Sequence, residues 1–117
     1  MRVFNRDVKV VGRLIRRSGT ATGSGGAATL DRYAGVITTE SLTTAAGGTT
    51  AYTINNRLVK AGDIVLCSLE NKGTQGTPFI YDVKVEDGKI TLGIKNDHAT
   101  QALNGALALR FQIVSVV

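Results

Sequence analysis

The chain predicts an all-β fold: an antiparallel β-sandwich or jelly-roll-like body behind an extended basic N-terminal arm. Three observations lead there. Short runs rich in Val, Ile, Thr, Phe and Tyr recur between Gly, Asn and Asp turn signals at intervals of ~8–12 residues, the rhythm of two sheets hiding each other's apolar faces. No segment carries a sustained helical stripe, the best being Asp97 to Leu103, which ends at Asn104-Gly105 and has room for only a turn or two. The charge is one-sided: residues 1–35 hold seven basic residues against Asp7 and Asp31, whereas residues 36–117 hold seven of each sign. The net charge of +5 therefore belongs to an arm in front of a balanced body, and such an arm suits an acidic partner surface.

The arm and a Gly-rich linker are expected over residues 1–29 and the β body over 30–117. Val8, Val10 and Gly12 alternate with Asp7, Lys9 and Val11, then Leu14-Ile15 precede Arg16-Arg17, which reads as a short extended segment with one apolar edge. That segment fits either a strand lent to a neighbouring sheet or the first strand of the chain's own sandwich, because alternation does not say whose sheet a strand joins. Ser18 to Ala28 is glycine and small polar residues, which bury little and leave the backbone free, so it reads as linker. A phosphate-cradling loop would need a following GKS or GKT, and none follows.

In the body, Val36-Ile37-Thr38-Thr39-Glu40 is β-branched, Gly47-Gly48 breaks the chain, and Thr49 to Ile54 resumes it. Asn55-Asn56 and Ala61-Gly62-Asp63 read as turns. Ile64 to Leu69 is apolar on both alternating sets, as in a strand buried on both faces or packed into a subunit interface, and is placed at the centre of the core. A hairpin follows, with Phe79, Tyr81, Val83 and Val85 expected on one face, Ile80, Asp82 and Lys84 on the other, and Asp87-Gly88 in a type I′ turn before Ile90, Leu92 and Ile94. The last strand alternates Leu107, Leu109, Phe111 and Ile113 with Ala108, Arg110, Gln112 and Val114.

The core is mostly aliphatic, because the chain has no Trp and only three Phe and three Tyr. So small a core implies support from oligomerisation, and the interface residues expected are Ile64, Val65, Leu66, Cys67 and Leu69. Cys67 is the only cysteine, which excludes an intrachain disulfide and a thiolate zinc site; in its apolar run it reads as an inert buried thiol. His98 is the only histidine, and with Asp97 beside it on the opposite side of an extended backbone it makes neither a triad nor a metal site. No catalytic residue, metal or cofactor is expected, and the protein is not read as an enzyme. The N-terminus has no apolar signal region and the chain no apolar run of spanning length, so no membrane role is expected. The basic arm would neutralise phosphates, but it lacks regularly spaced aromatic residues and any reader motif, so nucleic-acid binding through it stands only as an alternative.

Three blocks then stand out: Gly35-Val36-Ile37-Thr38-Thr39-Glu40-Ser41-Leu42-Thr43-Thr44-Ala45-Ala46-Gly47, Gly73-Thr74-Gln75-Gly76-Thr77-Pro78, and Asn96-Asp97-His98-Ala99 with Ala102-Leu103-Asn104-Gly105-Ala106-Leu107. They resemble a small Thr/Gly/Ala-rich β domain of tailed-bacteriophage virion proteins, over residues ~30–117. The resemblance implies a structural virion component, made in the host cytoplasm: a trimeric head-decoration or cement protein, with a tail or fibre attachment module next. It implies as partner the major capsid protein or another virion protein. The arm stands outside those blocks and is read from its residues: Arg2, Arg6, Arg13, Arg16 and Arg17 to meet acidic groups, and Val8, Val10, Leu14 and Ile15 to meet apolar surface or extend a sheet.

Overall fold

A computed structural model describes residues 18–115, and the arm residues Arg2 to Arg17 lie outside them. Eight strands form two four-stranded sheets: β1 (Gly19–Thr22), β2 (Ala27–Thr29), β3 (Ala34–Thr38), β4 (Thr49–Asn55), β5 (Ile64–Asn71), β6 (Pro78–Glu86), β7 (Lys89–Asn96) and β8 (Leu107–Val114). Sheet A has the order β1-β3-β8-β5 and sheet B the order β2-β4-β7-β6. The described residues are an all-β sandwich without a helix.

The topology reduces to four legs, each with one strand in either sheet. The β7–β8 leg runs from sheet B to sheet A, while β1–β2, β3–β4 and β5–β6 run from A to B. The β7–β8 leg therefore pairs antiparallel with β3–β4 on one side and β5–β6 on the other. The β1–β2 leg lies outside β3–β4 and, running the same way, pairs with it in parallel. The sandwich is thus antiparallel except along this one side. The stretch expected to be linker is a correction: residues 19–22 and 27–29 are strands. Composition misled because these strands are short and packed from one side. Leu30 supplies the apolar filling that the glycines lack, and a Cβ at Gly35 would come within 2.5 Å of its side chain.

Between the sheets, inward rows interdigitate as alternation requires. Ile37, Leu107, Leu109, Phe111 and Ile113 come from sheet A and Tyr52, Ile54, Ile90, Leu92 and Ile94 from sheet B, with Leu42, Val59 and Leu103 closing the loops over them. The inner strands are β3 and β8 in sheet A and β4 and β7 in sheet B, so β5 is not the centre of the core but the edge of sheet A. Its burial alternates residue by residue along its whole length.

The β6–β7 hairpin is present with two local differences. A bulge at Tyr81 shifts the register between Ile80 and Asp82, so Phe79 faces outward while Ile80, Val83 and Val85 stand opposite the inward Ile94, Leu92 and Ile90. The bulge lays the Tyr81 ring against Gly93, where a Cβ would come within 2.7 Å of it. The turn also departs from type I′: Gly88 has φ 82°, and no non-glycine residue among the described residues has a positive φ, so Asp87 cannot occupy the first I′ position. Tertiary bonds select this form, since Gly88 N–H donates to Val59 O, Gly88 O accepts from Asn56 N–H, and Asp87 Oδ1 accepts from Ala61 N–H.

Candidate functional site

The outer face of sheet A is where the expected interface residues become legible. Register with β8 places Val65, Cys67 and Leu69 opposite the inward Ile113, Phe111 and Leu109, and Ile64, Leu66, Ser68 and Glu70 opposite the outward Val114, Gln112, Arg110 and Ala108. Of the five residues, Val65, Cys67 and Leu69 pack against the core, and Ile64 and Leu66 are 51% and 57% exposed. Val114, 40% exposed, lies beside Ile64, and Tyr33 is at the same end, its carbonyl accepting from Ile113 N–H at 2.6 Å. A shallow depression of about 350 Å³ opens there, lined by Tyr33, Gln112, Ile113, Val114 and Ser115. Sequence reading found β5 but not Val114 or Tyr33, whose outward placement depends on pairing with distant residues.

The other end of the same face is charged. Arg110 Nη2 donates to Glu70 Oε1 at 2.9 Å, and Lys72 Nζ lies 3.4 Å from Glu70 Oε2. The Arg110 hydrogen bond, then that of Lys72, hold the Glu70 carboxyl below the usual range. All three groups are exposed, and such pairs orient a surface more than they stabilise a fold. Cys67 is turned inward between the two ends, and burial pushes its thiol up to about 11, so it is little ionised near neutrality.

A second exposed apolar group, Phe79, Tyr81 and Val83, lies along β6, the edge of sheet B. Phe79 stands opposite Lys95 on the outer face. Among the described residues no three His, Cys, Asp or Glu side chains cluster as a metal set would. His98 is tied into its own loop: Nδ1 accepts from Thr100 N–H at 3.0 Å and Gln101 N–H at 2.9 Å, which places its ring proton on Nε2.

The polar residues buried here were not singled out by sequence reading. Asn96 is fully buried; Oδ1 accepts from Thr77 and His98 N–H, and Nδ2 donates to the carbonyls of Gln101 and Thr44. These bonds take up His98 N–H and Gln101 O, while Asp97 N–H donates to Thr77 O and Leu103 N–H to Thr44 O, so the segment from Asp97 to Leu103 is paired without the expected helical turn. On the opposite side, Tyr52 OH donates to Glu40 Oε1 at 2.7 Å and Gly26 N–H to Glu40 Oε2 at 2.7 Å. Burial alone would raise the Glu40 carboxyl, but these bonds outweigh it and hold the group below its ordinary value. Burial and the carboxylate together raise the Tyr52 hydroxyl. A Cβ at Gly23 would collide with that hydroxyl, so the glycine admits the contact between sheets.

The site is thus a half-apolar, half-charged face on a sheet edge. No family model, curated protein or solved structure matches the chain.

Proposed function

We propose that this protein is a structural virion component, a decoration or cement protein of the tailed-phage type that forms a homotrimer and attaches to a capsid shell. The observation that carries the reading is the strip of Ile64, Leu66 and Val114 turned to solvent on the edge of sheet A. Contiguous outward apolar side chains at a sheet edge are a surface that gains by being covered. The core between the sheets is already closed by Ile37, Leu109, Ile94 and their neighbours, so these side chains add nothing to it. Contact between copies is the use that matches their chemistry.

The charge distribution supplies the second half of the proposal. Residues 36–117 are balanced and the excess is N-terminal, so the arginines of the first 17 residues are the groups to meet an acidic shell protein. Three copies held together present three such segments, and their joint attachment exceeds one weak contact by avidity. Sedimentation equilibrium and electron microscopy test the two halves. The native chain is expected to sediment as a trimer and to decorate shells, and Leu66→Asp to sediment as a folded monomer that decorates them poorly. A native chain that remains monomeric at micromolar concentration removes the trimer. Full decoration by a chain lacking residues 1–17 removes the attachment role of the segment. Salt-sensitive binding to DNA without shell binding would support the nucleic-acid alternative.

A further inference from the structure

β6 is the outer strand of sheet B, and one row of its backbone groups has no neighbour in the sheet. Asn96 N–H donates to Gly48 O and Asn96 O accepts from Gly47 N–H, so by antiparallel alternation the even-numbered residues of β7 turn their peptide groups to β4 and the odd-numbered ones to β6. Gly93, Thr91 and Lys89 stand opposite Asp82, Lys84 and Glu86, which therefore use their own peptide groups on β7. Val83 and Val85 turn theirs to the open side. The side chains alternate as well: Val83 is opposite the inward Leu92, while Asp82, Lys84 and Glu86 belong to the outer face. Phe79, Tyr81 and Val83 are exposed along the same strand.

An open ladder of this kind accepts any extended chain, and bulges and edge charges are how sheets refuse it. Here the bulge at Tyr81 ends the regular pairing, and the charges at residues 82, 84 and 86 run minus, plus, minus. Asp82 and Lys84 are exposed and form no ion pair among the described residues, whereas Glu86 is held by Lys89 at 3.9 Å. A second β6 laid antiparallel to the first meets this pattern differently in each register. Centred on Lys84, the two lysines face each other and Asp82 faces Glu86; centred on Asp82, two aspartates meet. Centred on Val85, Lys84 faces a Glu86 that is already engaged, and Val83 falls opposite the turn residue Asp87. Centred on Val83, Asp82 of each copy lies opposite Lys84 of the other, and the free N–H and C=O of the two Val83 residues bond reciprocally. In that register the charged residues are the non-hydrogen-bonded pairs, where side chains come closest.

We propose that β6 is a second interaction surface, taken by β6 of another copy of this chain in antiparallel, two-fold register about Val83, so that sheet B continues from one molecule into the next. The charge pattern that repels other strands selects this one. Two reciprocal ladder bonds and two charge pairs make a small contact, in the class of weak encounters, so it is empty at micromolar concentration and fills where copies are crowded. No residue of the strip on sheet A takes part, so the inference goes beyond the assembly reading and does not rest on it. Together with that reading, it joins one trimer to the next, edge to edge, when trimers are crowded on a shell.

Amide chemical shifts of the full chain, followed from micromolar to millimolar concentration, test the contact. The Val83 amide is expected to move downfield as its N–H gains a partner, with the other concentration-dependent shifts confined to β6. Asp82→Lys and Lys84→Asp each set like charges face to face twice, and each should weaken this association roughly tenfold or more. An equal mixture of the two variants should regain it, because every facing pair is again opposite in sign, and Asp82→Lys with Lys84→Asp in one chain should associate as the native chain does. Recovery on mixing also shows that both variants are folded. Single variants that stay impaired when mixed, shifts centred away from β6, or no concentration dependence of the Val83 amide would each overturn the proposal. Sedimentation at micromolar concentration keeps the assembly reading separate: Asp82→Lys should leave the trimer intact, and Leu66→Asp should leave the millimolar β6 shifts intact. A native chain that is monomeric at micromolar concentration yet shows the β6 shifts at millimolar sustains this inference while the assembly reading fails, and a trimer without those shifts does the reverse.

Discussion

The loop end around Asn96 and the strip at the other end of sheet A handle their surface in opposite ways. At the first, Asn96 is fully buried and its amide and carbonyl bind groups from Thr44, Thr77, His98 and Gln101. Every buried side-chain polar atom among the described residues has a partner, so this end is complete in the single chain. At the second, Leu66 and Ile64 stay more than half exposed on a strand whose inward residues are already packed. The difference separates two roles inside one small sandwich: a buried polar hub defines how loops sit, and an outward apolar strip leaves an interaction unmade. Substitutions at the hub should therefore change folding, and those at the strip should change association.

The largest effect is expected at the hub. Asn96→Ala removes the partners of Thr77 N–H, His98 N–H and Gln101 O and leaves a gap where a fully buried side chain stood, costing about 3 kcal/mol by the usual penalty for a lost buried hydrogen-bond network. Urea denaturation of the variant measures it. A loss well under 1 kcal/mol would mean the loops find other partners and the hub is not what defines that end.

Tyr52→Phe breaks the tie on the other side of the sandwich and should cost about 1.5 kcal/mol, the worth of a hydrogen bond to a charged group. Its signature is a change in pH dependence. The Glu40 carboxyl is depressed in the folded chain, so its contribution is fully present above the unfolded carboxylate value and is lost as pH falls through the lower folded value. The native chain should therefore lose stability on acidification more steeply than Tyr52→Phe or Glu40→Gln. Equal slopes across all three, followed by urea midpoints from pH 7 down to pH 3, would show that another carboxylate governs acid sensitivity.

Most of the strands were legible because alternation is local: β3, β4, β6, β7 and β8 follow from residues within each run. What escaped depended on distant chain. Ile64 to Leu69 is apolar at every position but Ser68, and the strand's place at an edge is set by its pairing with β8, some forty residues later. β1 and β2 have too few apolar atoms to announce a strand and are held by β3, β4 and Leu30. The bulge at Tyr81 shifted the phase of the hairpin, since one extra residue reverses which face Phe79 occupies. The candidate surface was half visible for the same reason: its β5 residues were in the run, and Val114 and Tyr33 come to it only by pairing.

The smallest change in folding is expected on β5 itself, and it sharpens the comparison most. Leu66→Asp replaces a side chain that is 57% exposed and opposite Gln112, so the fold loses little packing and the unfolding free energy should move by no more than about 0.5 kcal/mol. Association should respond quite differently, because a carboxylate at the middle of a covered interface is buried without a partner. The expected result is an unchanged urea midpoint, measured at a concentration where the native chain is dissociated, beside a self-association weakened beyond detection. Glu70→Gln, two turns of the pleat further along the same face, provides the control. It loses the Arg110 ion pair but lies where the surface is already hydrated, so neither stability nor association should change measurably. If Glu70→Gln disrupts association as fully as Leu66→Asp, the charged end belongs to the contact and the apolar strip is only part of it. If Leu66→Asp instead unfolds the chain while association of the remaining folded fraction is intact, the strip is part of the fold, and the contrast between the two ends of the molecule fails.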